Sequence, residues 1–280
     1  MSGRGASSSD DVDRTTGTRR IVSVMGTLFV LDLRDLDPAS PAADEVVAWW
    51  HWVDDTFSIY RPTSQVSQLA SGAIELRECA PEVAYVLDLC AQAAEISDGC
   101  FSAHPAGQLD LSGMVKGWSL DVASQMLRRA GSRHHCICAG SDFWCLGRPQ
   151  PAESWRVGVF DPHDASRLLA VVEAPPGHEV GLAVATSGTA VRGARIVDPH
   201  TGETNEDLAE LTVIGADVTF VGWVATAGFA MGHDSRPWLE GLPGIEAFAV
   251  TPDGDYWGTD GIESVARLVA EPLARGTQGR

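Results

Sequence analysis

Lysine is nearly missing from this sequence. Of its 20 basic residues only Lys116 is a lysine, and the rest are arginines. Acidic residues outnumber basic ones 38 to 20, for a formal net charge of -18. Nucleic acid and anionic membranes select clustered positive charge, so neither is expected as a general partner. No apolar run approaches the roughly 18–20 residues that cross a bilayer. Residues 1–20 lack the apolar stretch of a secretory signal and read as a disordered leader, and 271–280 read as a frayed tail. Metal-type cysteine spacing is missing as well. Cys79, Cys90, Cys100, Cys136, Cys138 and Cys145 contain no C-x-x-C pair and read as buried free thiols of a cytoplasmic protein.

What is present is ordinary for a globular chain. The 280 residues are 44% hydrophobic and 21% charged, enough for one large domain or two small ones. Ile21 to Leu33 reads as a strand pair interrupted at Gly26. Pro41 to Asp55, Pro81 to Ser97 and Val115 to Ala130 carry apolar residues at three- and four-residue spacing and read as helices. Val221 to Met231 reads as a helix of small residues. Strands are expected at His135–Cys138, Trp155–Phe160, Arg167–Val172, Leu211–Ile214 and Glu246–Val250, with turns at Asp161–Asp164 and Pro252–Asp255. Trp49, Trp50 and Trp52 read as core. This mixture without strict alternation predicts an α+β fold, with mixed, mostly antiparallel sheets and flanking helices.

The one lysine falls where a helix is expected to begin, after a loop containing Asp110, Ser112 and Gly113. A helix start offers free N–H groups and the positive end of a dipole, and an ammonium adds a compact charge. Together they suit a phosphate group; a surface lysine behind a capping serine is the structural alternative. The segment is not a P-loop, because Lys116 is followed by Gly117 and no glycine run precedes it. Nor is it the S-x-x-K of a serine acyltransferase, since Ser112 and Lys116 are one residue too far apart. Ala185–Thr189 is a second candidate: small and hydroxylated residues after a strand-like run can bring backbone amides to a ligand, with an ordinary turn as the alternative. Asp198–Gly202 is a turn by composition.

In order along the chain these pieces resemble the ApbE family of FAD:protein FMN transferases. The resemblance runs from about Ile21 to Gly261. It rests on Met25-Gly26-Thr27, Phe57-Ser58-Ile59-Tyr60-Arg61-Pro62, Ser97-Asp98-Gly99-Cys100-Phe101 and Asp110-Leu111-Ser112-Gly113 with Lys116-Gly117. It continues through Ala139-Gly140-Ser141-Asp142, Trp155-Arg156-Val157-Gly158, Thr186-Ser187-Gly188, Asp198-Pro199-His200-Thr201-Gly202 and Ala225-Thr226-Ala227. The resemblance implies an ApbE-like, T-fold-related domain over residues 21–270. It implies a protein that binds FAD and, with Mg2+, transfers FMN to a Ser or Thr of a partner flavoprotein. Met25, Tyr60, Cys100, Phe101, Ser102, Asp110, Lys116, Thr186, Ser187 and Gly188 are the flavin-nucleotide contacts that it implies. A carbonyl near Gly113 and the hydroxyl of Thr226 are the implied metal ligands.

Four positions depart from the family's pattern. Gly222 stands where a metal-binding Asp belongs, and Arg195 replaces a His expected to act as base. Arginine cannot accept a proton at ordinary pH, which leaves Asp198 or a water for that role. Ser141 interrupts the usual Gly-Gly-Asp, and Ser102 replaces an Asp. A hard cation loses affinity with a charged ligand, and losing a base costs about 10²–10⁴ in rate. Two expectations follow: a transferase that tolerates these changes, or a catalytically degenerate relative that keeps the flavin or partner site or serves another reaction.

Overall fold

The computed structural model describes residues 17–150, 153–173, 181–189 and 196–269. Arg195, a candidate catalytic residue, lies outside them. Strand β1 (Thr18–Val24) already occupies the last residues assigned above to a leader. It turns into β2 (Thr27–Leu33) through Met25 and Gly26, whose φ values of 50° and 71° make the tight turn that matches strand twist. Along β2, Phe29, Leu31 and Leu33 point inward and are fully buried.

Helices cover that inner face. Helix α1 (Ala42–Phe57) buries Val46, Trp50, Val53 and Phe57 at helical spacing, and the Trp50 ring packs 4.8 Å from Phe29. Burying each such side chain contributes about 1.5–3 kcal/mol. Trp50 is core as expected, whereas Trp49 and Trp52 are half-buried and stack on each other. A short α2 (Gln65–Ala70) starts on a Ser64 cap, and α3 (Pro81–Ile96) starts on the expected proline. Helix α4 (Ser112–Arg129) begins three residues before Val115, so Ser112 and Gly113 form its first turn rather than a loop.

Strands β3 (His135–Ala139) and β4 (Asp142–Leu146) form a hairpin about Gly140 and Ser141. β5 (Arg156–Asp161) and β6 (Asp164–Glu173) form another. β7 (Leu182–Gly188) and β8 (Glu210–Gly215) lead into α5 (Val218–Met231), capped by the Asp217 side chain, and the short α6 (Ser235–Glu240). The chain closes with β9 (Glu246–Val250), β10 (Tyr256–Gly258) and β11 (Ala266–Leu268). β4 was not anticipated as a strand. The strand-like run before Ala185 is β7, and Thr186, Ser187 and Gly188 are its last residues, not a loop after it.

An eight-stranded sheet has the order β1-β2-β3-β4-β7-β8-β9-β10, and a three-stranded sheet the order β11-β6-β5. Every pairing among these strands is antiparallel. The expected α+β class, with mostly antiparallel sheets and flanking helices, is therefore the observed one. Alternate residues divide between two cores. Ile137, Ala183, Ala185, Leu211 and Val213 face the helices. Leu182, Val184, Ile214 and Phe248 face Val157, Ala170 and Val172 of the smaller sheet. Helix α5 is buried nearly all round and touches α4 at Gly117, where an added Cβ would stand 2.6 Å from the Val218 carbonyl. No described helix is long and apolar enough to cross a membrane.

Candidate functional site

The hairpin turns gather at one end of the large sheet. A Cβ on Gly140 would stand 3.0 Å from Thr27 Oγ1, so the turns β1–β2 and β3–β4 abut there. Beside them Ser141 Oγ donates to the Thr186 carbonyl at 2.9 Å, and Thr186 shares a 2.9 Å hydroxyl contact with Thr212. Met25, Thr186, Ser187 and Gly188 are thus all at this end. Thr186 and Ser187 are buried.

Helix α4 brings its first turn to the same end, anchored by the buried Met114 and Val115. Asp110 Oδ1 accepts from the Ser112 amide at 2.9 Å, while the residue at the cap position is Leu111, so Ser112 is the first helical residue and not a capping serine. Lys116 Nζ stands 3.0 Å from Asp142 Oδ2. The lysine is one-third exposed while the aspartate is almost fully buried. Asp142 Oδ1 faces the Thr186 amide at 3.4 Å, a long contact that contributes little. The ion pair holds the ammonium in one place and leaves two of its three protons for another acceptor. Asp142 ends the Ala139–Asp142 motif, but its pairing with Lys116 was not among the contacts read from the sequence.

Gly113 lies among the remaining candidates. A Cβ there would be 3.1 Å from the Phe101 ring and 3.4 Å from the Thr226 methyl. Phe101 is buried, its amide held by Ser97 Oγ at 2.9 Å. Thr226 donates to the Gly222 carbonyl one turn back, at 3.2 Å. Asp98 and Gly99, both left-handed at φ 50° and 84°, turn the chain after α3 and present Cys100. The Asp198–Gly202 turn packs onto this corner: a Cβ on Gly99 would meet His200 Cε1 at 3.1 Å. Burial, then the charges of Asp198 and Asp98, push the Cys100 thiol up. Asp198 accepts from the His200 amide at 2.9 Å and from the Thr201 hydroxyl at 3.2 Å.

Other candidates are less engaged. Ser102 Oγ accepts from the His104 amide at 3.0 Å. Tyr60 is 79% exposed, and its hydroxyl makes no hydrogen bond among the described residues. Its neighbour Arg61 pairs with Asp54 at 2.7 Å and Asp55 at 3.0 Å. A shallow pocket on the Val197–Glu206 segment is lined by Glu203 and Glu206, which suits no phosphate.

A divalent metal finds few donors. Gly113 and Thr226 offer one carbonyl and one hydroxyl, and Gly222 offers no side chain. Among the described residues no group of three His, Cys, Asp or Glu side chains is placed to hold a metal ion. Hard dications take anionic oxygens. The described residues alone therefore do not fit a resident magnesium.

The fold and family have counterparts among known proteins. A FAD:protein FMN transferase of Rhodobacter capsulatus is 28% identical over 243 residues, 84% of this chain and 42% of that protein. One of Vibrio cholerae serotype O1 is 27% identical over 139 residues, 46% of this chain and 40% of that protein. The chain therefore spans less than half the length of these curated relatives. Among solved structures, the flavin transferase ApbE from Vibrio cholerae superposes with a TM-score of 0.75 at 19% identity, covering 89% of this chain and 99% of that one. The ApbE protein of Thermotoga maritima gives 0.76 at 21% identity, covering 90% and 99%. The profile of the ApbE family matches residues 25–104 and 102–249, and on that span this chain belongs to the ApbE family.

Proposed function

We propose that this protein binds FAD at the first turn of α4 and transfers its FMN half to a Ser or Thr hydroxyl of a partner flavoprotein. The observation that carries the reading is the Lys116–Asp142 pair. A buried carboxylate fixes the sole lysine beside a helix N-terminus, with the backbone of Gly113, packed between Phe101 and Thr226, one turn away. An ammonium so held can neutralise a diphosphate oxygen without reorganising during the reaction. Asp110 is acceptor-only and suits the hydroxyls of the nucleotide rather than its phosphates. Met25, Cys100, Phe101 and Thr186–Gly188 form the rest of the proposed flavin site, with Tyr60 approaching from its exposed position.

In the proposed reaction the acceptor hydroxyl attacks the phosphorus of the FMN half in line. A P–O bond to the acceptor forms, the bridging P–O bond breaks, and AMP leaves with the electron pair. Lys116 offsets charge on the diphosphate. Asp198 takes the hydroxyl proton, as an aspartate can when it mainly orients the nucleophile. Magnesium, when bound, would supply charge neutralisation across the phosphates, and here FAD's own oxygens would have to supply most of its ligands.

A second reading has its own observation. With Gly222 bare and Arg195 unable to act as base, the pocket would outlast the transfer, leaving a flavin- or partner-binding protein. One experiment separates the two. Incubate the protein with FAD, magnesium and an FMN-acceptor domain, and follow the acceptor's mass. Addition of FMN at a family-like rate supports transfer. FAD binding with no mass shift supports the degenerate reading, and failure to bind FAD overturns the site itself.

A further inference from the structure

Three thiols lie on one face of the β3–β4 hairpin, the face turned towards the smaller sheet. Cys136 and Cys138 are alternate residues of β3, and Cys145 lies on β4. Cys136 is in direct register with Cys145, and their Sγ atoms are 2.7 Å apart. Cys138 instead faces Phe143.

Hairpin geometry sharpens this pairing. Only Gly140 and Ser141 separate the strands, so Ala139 and Asp142 flank a two-residue turn. Such a turn closes on a hydrogen-bonded pair, and hydrogen-bonded and non-hydrogen-bonded pairs alternate from there. Three steps away, Cys136 and Cys145 are a non-hydrogen-bonded pair, the kind whose Cα atoms approach to about 4.5 Å. A disulfide spans Cα separations of about 4.4–6.8 Å, so this pair can be bridged without moving either strand. Cys138 is two residues along the same strand from Cys136 and diagonal to Cys145, about 7 Å from either, and is out of reach.

Access differs between the partners. Cys136 is half-buried while Cys145 is 1% exposed. Burial, then contact with Cys136, pushes the Cys145 thiol well up, so the more accessible Cys136 is the thiol that meets an oxidant first.

We infer that Cys136 and Cys145 are a reversible modification site, a cross-strand disulfide formed when a small hydroperoxide oxidises Cys136. In the first step the Cys136 thiolate attacks one peroxide oxygen: an S–O bond forms, the O–O bond breaks, and hydroxide leaves. In the second the Cys145 thiolate attacks the Cys136 sulfur: the S–S bond forms, the S–O bond breaks, and a second hydroxide leaves. Two thiols and one hydrogen peroxide become one disulfide and two waters. The bond staples the hairpin whose tip carries Asp142, and it does not depend on the flavin reading.

The test uses the wild-type chain with hydrogen peroxide, followed by alkylation and peptide mapping. The expected product has lost two hydrogens, links Cys136 to Cys145, and returns to two free thiols under a dithiol reductant. Cys138→Ser should leave the link intact. Cys145→Ser should convert the product to an over-oxidised Cys136. A link through Cys138, or alkylation of both Cys136 and Cys145 after the other thiols have been oxidised, overturns the inference. The wild-type map decides even if a variant does not fold.

Discussion

The two ends of the large sheet handle buried polar groups differently. At the far end His135 is fully buried and both ring nitrogens are engaged, with Ser124 Oγ at 2.8 Å and Ser132 Oγ at 3.0 Å. Ser132 in turn donates to Asp35 at 2.9 Å. At the near end Asp142 is buried against a lysine that keeps free protons, and Glu210 is buried with one oxygen unpartnered among the described residues. A closed network rigidifies a fold, whereas an incompletely satisfied one has capacity for something else. The contrast is the one expected if the proposed site lies at the near end and the far one is only architecture.

The largest expected effect breaks the near-end pair. Lys116→Met leaves the Asp142 carboxylate buried and alone. It should lower stability by about 2–3 kcal/mol, less than for a fully buried pair because the lysine is one-third exposed. The double variant Lys116→Met, Asp142→Asn removes the stranded charge and should regain most of that loss in urea titration, yet still fail to bind FAD. Recovery of FAD binding along with stability would make the pair as architectural as His135.

The titrations of the two ends should run in opposite directions. Burial, opposed mainly by Asp35, lowers His135 from 6.5 to about 4. The unfolded chain then binds the extra proton first, so stability is full above pH 6.5 and falls as pH drops towards 4, by roughly 3 kcal/mol. Burial, then the charge of Asp161, raises Glu210 from 4.5 to about 8. Here the folded chain holds the proton longer, so stability is full below pH 4.5 and falls as pH rises towards 8, by roughly 4–5 kcal/mol. Urea midpoints across that range should show both limbs. Glu210→Gln should flatten the alkaline limb, adding about 1–3 kcal/mol at pH 8, and leave the acid limb unchanged. An unaltered alkaline limb would mean that Glu210 finds a partner in solution.

Legibility in the sequence follows the same division. The first hairpin could be read because Met25-Gly26 separates alternating strands, and α1, α3 and α5 because their apolar spacing is periodic or their residues small. β7 was read too short because Leu182–Ser187 is buried on both faces; with no polar face there is no alternation to mark its end, and Thr186-Ser187-Gly188 looks like a loop. The site's motifs were visible one at a time, but not their partners. Asp142 and Lys116 are distant in the chain, and only the β3–β4 turn against α4 joins them. The approach of His200 to Gly99 is equally non-local. That Ser112 is the first residue of α4 and not its cap depends on where the helix begins, the least predictable of boundaries.

The smallest expected effect on stability concerns two facing glycines, and it bears most directly on whether the near end still performs transfer. At Gly117 an added Cβ would collide with the Val218 carbonyl at 2.6 Å, so that glycine is needed for helix contact. At Gly222 the nearest atom to an added Cβ is Gly117 Cα at 3.7 Å, ordinary van der Waals distance. Packing therefore does not require glycine at 222. Gly222→Ala should be neutral or gain up to about 1 kcal/mol from helix propensity. Gly222→Asp should fold as well and set a carboxylate one helical turn from Thr226, on the same face. It should then show a magnesium-dependent rise in melting temperature and magnesium-dependent FAD cleavage, neither of which Gly222→Ala should show. If Gly222→Asp folds, binds FAD and remains indifferent to magnesium, the missing carboxylate is not what separates this pocket from a metal-dependent one. The difference would then have to lie with the base.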